Sequence, residues 1–556
     1  MTTTATHPGT PAATPAGPPR STWRDTLAGT GALVRLDLRR DRIKLPAWVL
    51  GIALMSVYYA SALQQVYKTP EDLRAVSQFS EGVVGALISG PGYGLGEPTT
   101  ESVIVAVYGL YYLLLAALMN ILLISRHTRV EEQAGRAELV RANAVGRHAQ
   151  LTAALVVAFI ADLAVTVLVA GSFAAAGLST SDALLFGTSV GAAGLAFAAI
   201  TAVTVQVTEY SRAASGLAGL ALGIAYVIRA AGDAIREGGS TLSWFSPLAW
   251  SQQTRAYADG RWWPLLLSVA FILVVVAVAF VLSARRDLGA GLVPPRPGGR
   301  EAPAWLATPV ALAARLQRAG LIGWACALVA SAALYGGIGN TIVDSFEDLP
   351  DGVVDVMGGD ATRLLDGYLG TMAFFDALLV AVFAILAVQS LRTEETIGRT
   401  EPVLATATGR IVWFAGYIGV AAAGAIALLA VTGVAFGIAL GLSVGDDGYL
   451  ADAFVSHLVF APAVLLVLAV AALLYGFLPQ AIGATWALFG FALILGFFGP
   501  LMNLPQWLHD LSPFQHISRI PMEELRWPAL IVLTVLALAA AAAGAYRFRE
   551  RDLDTK

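Results

Sequence analysis

Apolar residues run along the chain in blocks of about twenty, separated by short polar stretches. About twenty residues is the length a helix needs to cross roughly 30 Å of hydrocarbon. Hydropathy predicts twelve such spans: 46–66, 103–125, 149–176, 182–206, 214–234, 264–284, 320–342, 369–391, 412–442, 456–478, 481–503 and 528–547. Ahead of the first, Trp23, Leu27, Val34 and Leu38 share one helical stripe, with Arg24, Arg35, Arg39 and Arg42 beside it. That pattern predicts an amphipathic helix over 22–44 lying in the membrane interface, its arginines reaching for lipid phosphates. The basic flank of an ordinary first span is the plainer alternative. Residues 1–21, rich in Thr, Pro, Ala and Gly, lack the apolar core of a signal peptide and read as a disordered cytoplasmic tail.

Composition agrees with the pattern. Of the 556 residues 57% are hydrophobic and 13% charged, with mean hydropathy +0.69, against roughly 25% charged in a soluble domain. The expected fold class is an all-α polytopic membrane protein. Lysine and arginine divide 26 to 8 between alternate connections, which places both termini in the cytoplasm. Of the 35 basic residues 32 are arginine, a bias that fits a GC-rich bacterial genome; the expected location is the bacterial inner (cytoplasmic) membrane. Cys326 stands alone, and the six histidines show no zinc-hydrolase spacing, so neither a disulfide nor a metal site is expected. None of Lys44, Lys68 and Lys556 follows a glycine-rich loop. The chain therefore has no P-loop, no ATPase site and no bound cofactor of its own.

The chain also repeats itself. The loop Glu131–Arg147 reads EEQAGRAELVRANAVGR, and Glu394–Arg410 reads EETIGRTEPVLATATGR, with ten identities in seventeen ungapped positions. Glu131, Glu132, Gly135, Arg136, Glu138 and Arg147 recur as Glu394, Glu395, Gly398, Arg399, Glu401 and Arg410. Ser246-Pro247 recurs as Ser512-Pro513, Trp263-Pro264 as Trp527-Pro528, and Arg286-Asp287-Leu288 as Arg551-Asp552-Leu553. A tandem duplication follows, with a first half at 22–284, a Pro/Gly-rich cytoplasmic linker at 285–319 and a second half at 320–556. Both copies start on the same side, so they are parallel six-helix repeats. A loop kept while the helices around it diverge suits docking on two equivalent partner surfaces. Its glycines suit turns at the ends of a short helix, and its charges suit a protein surface. On that reading, joint substitution of Glu132 and Glu395 abolishes transport and leaves the protein folded. A solvated connector left over from duplication is the alternative.

These two loops resemble those of ABC-2-type exporter permeases, whose pattern is a Glu-rich, Gly-containing loop between the second and third helices. The duplicated twelve-span form is similar to actinobacterial permeases for polyketide antibiotics such as tetronasin and for multiple drugs. The resemblance implies that 131–147 and 394–410 are coupling helices docking two copies of a separate nucleotide-binding ATPase subunit, which would carry ATP and Mg2+. It implies an interfacial connecting helix at 22–44, with a weaker counterpart around 305–319 interrupted by Pro309. It also implies short re-entrant hairpins in 235–263 and 504–527, and a pathway between the second and fifth helices of the two halves. The expected substrate is a large amphipathic compound: an antibiotic, a drug or a lipid-like metabolite. A proton-driven transporter of the major-facilitator type shares the twelve helices and parallel repeats, but its loops there are shorter. Nothing in the chain suggests a nucleic-acid partner.

Candidate pathway residues are aromatic or flexible: Tyr108, Tyr112, Leu115 and Met119 in the second span, Tyr226 in the fifth, Met372, Phe375 and Phe383 in the eighth, Trp486 and Phe489 in the eleventh. Such surfaces accept large apolar solutes of varied shape, and each residue is equally suited to helix packing. Four charges fall inside spans: Asp162, Arg229, Asp233 and Asp376. Each costs about 2.5–3.5 kcal/mol at the membrane centre. Arg229 and Asp233 can pair at i, i+4, or Asp162 can reach Arg229 across helices; recognition of a polar substrate group is the functional alternative. The outer segment 343–368 holds seven acids and one arginine, suited either to releasing cationic solutes or simply to solvation.

Overall fold

The computed structural model describes residues 23–66, 69–71, 73–74, 77, 83–236, 238–294, 298–340, 343, 361–498 and 505–553. The tail 1–21 and the acids of 343–360 lie outside them. Among the described residues the secondary structure is helical without strands, and eleven helices are long and apolar enough to cross a membrane, or twelve if one bent pair is a single span. This is an all-α polytopic membrane protein. It divides into two compact units, Met1–Pro297 and Gly298–Lys556.

The described part of the first unit opens with a helical turn at Trp23–Thr26, and α1 (Thr30–Arg40) then turns by 67° into α2 (Lys44–Val66). After α3 (Val83–Ile88) comes α4 (Thr100–Ser125), started by a capping box in which Thr99 and Ser102 exchange side-chain bonds to each other's N–H. One π-helical turn, Arg126–Val130, carries α4 onward to Gln133. Then follow α5 (Arg136–Arg141), α6 (Ala149–Ala175), α7 (Thr180–Val207), α8 (Ser211–Ile235), α9 (Pro247–Gln252) and α10 (Pro264–Arg285). Small residues let α7 lie close against α6. A Cβ on Gly187 would stand 2.6 Å from the Thr166 carbonyl oxygen, and one on Gly191 2.5 Å from its hydroxyl. In lipid, where no hydrophobic force drives helices together, such close backbone approach supplies the packing energy. Tyr112, Phe173 and Phe186 fill the centre, with ring centroids 5.3–6.4 Å apart.

The second unit holds α11 (Pro309–Gly336), α12 (Ala361–Thr396), α13 (Thr400–Leu404), α14 (Arg410–Val444), α15 (Tyr449–Leu458), α16 (Ala461–Phe477), α17 (Thr485–Phe498) and α18 (Trp527–Glu550). The tenth predicted span falls largely within Tyr449–Phe477, a single membrane-length stretch interrupted only at Val459 and Phe460. Near one end of this unit α16 and α18 cross at Gly476 and Gly544, where a Cβ on Gly476 would sit 2.3 Å from the Gly544 carbonyl oxygen. Pro309 does not interrupt a connecting helix, as the resemblance implied. It occupies the first turn of α11, where its missing N–H costs nothing, and Thr308 caps that turn by accepting from the Ala311 N–H. In the second unit a single 3-10 turn, Ala304–Ala307, precedes the unbroken α11, where the first unit has a bent pair.

The segments expected to be re-entrant are short helical turns held to their own spans. In the first unit Ser246 donates to the Ala225 carbonyl and Ser251 to the Ser189 carbonyl. In the second, Phe514 packs its ring against Phe374 and Phe460, and Ser456 donates to the Ile520 carbonyl. The repeated Ser-Pro pairs have one local meaning: an extended serine precedes a proline that starts a helical turn, at Pro247 and again at Pro513.

Candidate functional site

The repeated loop begins as the end of the second helix in each unit. After one turn a glycine takes a left-handed conformation, Gly135 at φ 71° and Gly398 at φ 75°, and the chain reverses into α5 or α13. What fixes the loop is a buried carboxylate behind that turn. Glu132 is gripped at both oxygens by the Arg286 guanidinium, at 2.6 and 2.8 Å, and bonded by Arg129 at 2.7 Å. Arg129 is fully buried and also donates to the carbonyls of Val205 and Ala290, joining the ends of α4, α7 and α10. In the second unit Arg551 grips Glu395 at 2.6 and 2.7 Å, and the Tyr475 hydroxyl bonds the same carboxylate. Burial pulls the Arg551 guanidinium down, but the Glu395 carboxylate more than restores it, and the group stays protonated above the ordinary arginine value.

The last arginine of each loop closes the device. Arg147 donates to the backbone carbonyl of Arg286 at 3.1 Å, and Arg410 to that of Arg551 at 2.5 Å. The two separately repeated motifs, Glu-Glu…Gly-Arg and Arg-Asp-Leu, are therefore two sides of one clamp. Each binds the loop after the second helix to the end of the sixth. This corrects the expectation that the glutamate pairs offer charge to a protein surface. The Glu132 side chain is 4% exposed and that of Glu395 1%, and Glu394 is also buried, with Arg399 3.6 Å away. The outward residues are Arg136, Glu138, Leu139, Ile397, Arg399 and Glu401.

The first unit adds a second fastening. Glu131 accepts from Arg136 at 2.7 and 2.8 Å and from Arg40 of α1 at 2.7 Å. That carboxylate holds the Arg136 guanidinium above its ordinary value. His127 stands between Asp37 and Asp41, at 3.2 and 2.7 Å, and Arg126 bonds Asp41. The far end of the loop lies on the turn before α1, where the Gly146 N–H donates to the Ala28 carbonyl and the His148 N–H to that of Thr26. Sequence reasoning gave no role to Arg129, His127 and Tyr475 because most of the groups they meet lie far away in sequence.

The intramembrane charges are all engaged within their own units. Arg229 donates to the Ala86 and Leu87 carbonyls, at 3.0 and 2.6 Å, and lies 3.4 Å from Asp233, which accepts from Ser243 at 2.7 Å. The guanidinium thereby serves the carbonyls at the end of α3, a favourable place for a cation. Asp162 does not reach Arg229; it accepts from Asn120 at 3.0 Å, and Gly194 leaves the room for that pair. Asp376 lies 3.1 Å from His457 Nε2, while His457 Nδ1 is 2.7 Å from the Ala453 carbonyl oxygen.

Within each unit the candidate pathway residues have different surroundings. Tyr112, Met119 and Phe383 are buried inside their bundles, and Tyr108 stacks on Tyr59 at 4.4 Å. Tyr226 donates to the Leu87 carbonyl, and Met372, Phe375 and Phe489 are half-buried. Leu115 lines a groove beside α2, and Trp486 is exposed with Phe489 edge-on at 5.8 Å. The outward face of α4 is instead Tyr111, Leu118 and Leu122. Tyr112 is buried with its ring against Phe173 and Phe186, so it is a packing element. Tyr112→Phe, which keeps the ring, is expected to cost no more than about 1.5 kcal/mol, the net worth of one hydrogen bond, and to leave transport unchanged. A thermal melt and a dye-efflux assay of the variant check both.

A family model described as "Multidrug efflux system permease Rv1217c, C-terminal domain" matches residues 31–282 and 306–549. The "Multidrug efflux system permease protein Rv1217c" of Mycobacterium tuberculosis is 37% identical over 501 residues, which cover 89% of this chain and 90% of that protein. On both counts the chain belongs to this family of efflux-system permeases.

Proposed function

We propose that the chain is the membrane subunit of an ATP-driven exporter of large amphipathic compounds, such as drugs, antibiotics or lipid-like metabolites. Two copies of a separate nucleotide-binding subunit, carrying ATP and Mg2+, dock beneath 131–147 and 394–410 from the cytoplasmic side of a bacterial inner membrane. Both chain termini then lie in the cytoplasm. The carrying observation is that the two loops are alike in construction: a buried glutamate bolted to the end of the sixth helix, with the residues around the left-handed glycine facing out. A loop held in this way moves with the second and sixth helices, so force applied to its outer face reaches the spans.

The outer face combines charge with apolar anchors, Leu139 at 71% and Ile397 at 52% exposure, the mixture a docking surface needs. Replacing Leu139 and Ile397 together by aspartate disturbs no internal contact of either clamp. The double variant is expected to fold normally and to recover about tenfold less ATPase in a mild-detergent purification, equivalent to ~1.4 kcal/mol. Undiminished recovery of the ATPase from the double variant would overturn the docking assignment.

A further inference from the structure

Beside the bend between α1 and α2, a groove of about 470 Å3 runs between α2 and α4, lined by Lys44, Ala47, Trp48, Gly51, Ile52 and Leu115. Its volume lies within the ~300–1,000 Å3 of sites that hold small ligands. The charged and apolar parts are separated. Lys44 stands at the start of α2, and Ile52 lies eight residues on, about 12 Å deeper along the helix axis. Exposed Arg42 sits at the bend just before Lys44. The acids of this region are buried and engaged: Asp37 and Asp41 hold His127, and Asp41 also holds Arg126. The mouth is therefore cationic, and the depth is hydrocarbon. Trp48 lies one turn below Lys44, the level at which indole rings favour the headgroup boundary.

From this arrangement we infer that the groove holds one acyl chain of an anionic phospholipid, whose phosphate is bound at Lys44. The groove opens toward Leu50, Leu54 and Val57, exposed at 53%, 65% and 50%, which offer an apolar track for the second chain. A cationic mouth above an apolar slot fits a diacyl phosphate ester; a zwitterionic lipid carries a compensating cation that Lys44 and Arg42 repel. Gly51 keeps the slot open, since a Cβ there meets nothing within 4 Å. Among the described residues the bent pair of membrane-length helices occurs in the first unit alone, so one lipid per chain is expected. The site rests on the fold and charges alone and stands whether or not an ATPase docks on the loops.

The test is native mass spectrometry of the full chain, released from bilayers of equal phosphatidylglycerol and phosphatidylcholine. The wild type is expected to keep one phosphatidylglycerol. Lys44→Glu should lower that retention by about fivefold or more, and Lys44→Arg should keep it. Gly51→Leu fills the slot without altering charge and should expel the lipid as fully. Gly51→Ala, which adds one methyl group in open space, shows that the position tolerates a side chain. Equal retention of both lipids, or full retention in Gly51→Leu, would overturn the site and leave only a diffuse attraction of anionic lipid to a basic surface.

Discussion

Glu132→Ala is expected to destabilise the first unit by about 3–5 kcal/mol, the cost of leaving a buried charge without its partner. Two guanidiniums lose their carboxylate at once, because Arg129 and Arg286 both bond Glu132 and both are buried or nearly so. Arg129 keeps its bonds to the Val205 and Ala290 carbonyls, so its charge stays fixed in place and cannot swing out to water. The neighbouring Glu131→Ala removes a carboxylate bonded mainly by the half-exposed Arg136 and Arg40, and about 1 kcal/mol is the most expected there. In the second unit, a double-mutant cycle on Glu395 and Arg551 should return a coupling of about 2 kcal/mol or more, within the range of directly bonded pairs. Thermal unfolding in detergent, alongside efflux measurements, reads all of these. If Glu132→Ala left the melting temperature within a degree of Glu131→Ala, the clamp would not be a structural element and the glutamate would belong to the docking face after all.

That prediction departs from what the loop's sequence suggests, and the reason is geometric. The membrane-length helices, eleven or twelve among the described residues, and the repeated motifs were legible because both are properties of local composition and order: about twenty apolar residues make a crossing, and an ungapped match makes a repeat. Which face of the loop looks outward is not local. Glu132 and Arg286 are 154 residues apart, and Glu395 and Arg551 are 156 apart. Both repeats were visible in the chain, but no spacing rule says that they touch. The same holds for Tyr112, whose aromatic character suits a drug pathway as well as it suits the gap between Phe173 and Phe186. Pro309 illustrates the converse limit. A proline inside a weakly amphipathic stretch reads as a break, whereas the helix simply starts at it. Where the sequence was ambiguous between pairing and recognition, as at Arg229 and Asp233, the fold supplies carbonyls and a serine that hold both groups within the first unit.

The two copies of the loop also differ in a way identity of sequence hides, and glycine exposes it. Gly146 and Gly409 occupy the same place in the repeat. A Cβ on Gly146 would stand 2.2 Å from the Thr26 carbonyl carbon and oxygen and 2.5 Å from the Asp25 carbonyl oxygen, all backbone atoms that cannot turn aside. A Cβ on Gly409 meets nothing closer than Val412 Cγ2 at 3.9 Å, and its φ of −68° is one any residue adopts. Gly146→Ala must therefore push the loop off the turn before α1, straining or breaking the bonds from Gly146 to Ala28 and from His148 to Thr26. Overpacking of this kind costs about 1–3 kcal/mol. Gly409→Ala should instead be close to neutral, the lower entropy of its unfolded chain offsetting the loss of a favoured helix N-cap. Limited proteolysis supplies the local readout: only Gly146→Ala is expected to speed cleavage near residues 23–30, and only it should lower efflux. Equal effects of the two alanines would mean that the first loop is no more firmly seated than the second. Unequal effects would mean that the first loop moves with α1 as one piece, while the second is fastened through Arg551 and Arg410 without such a partner.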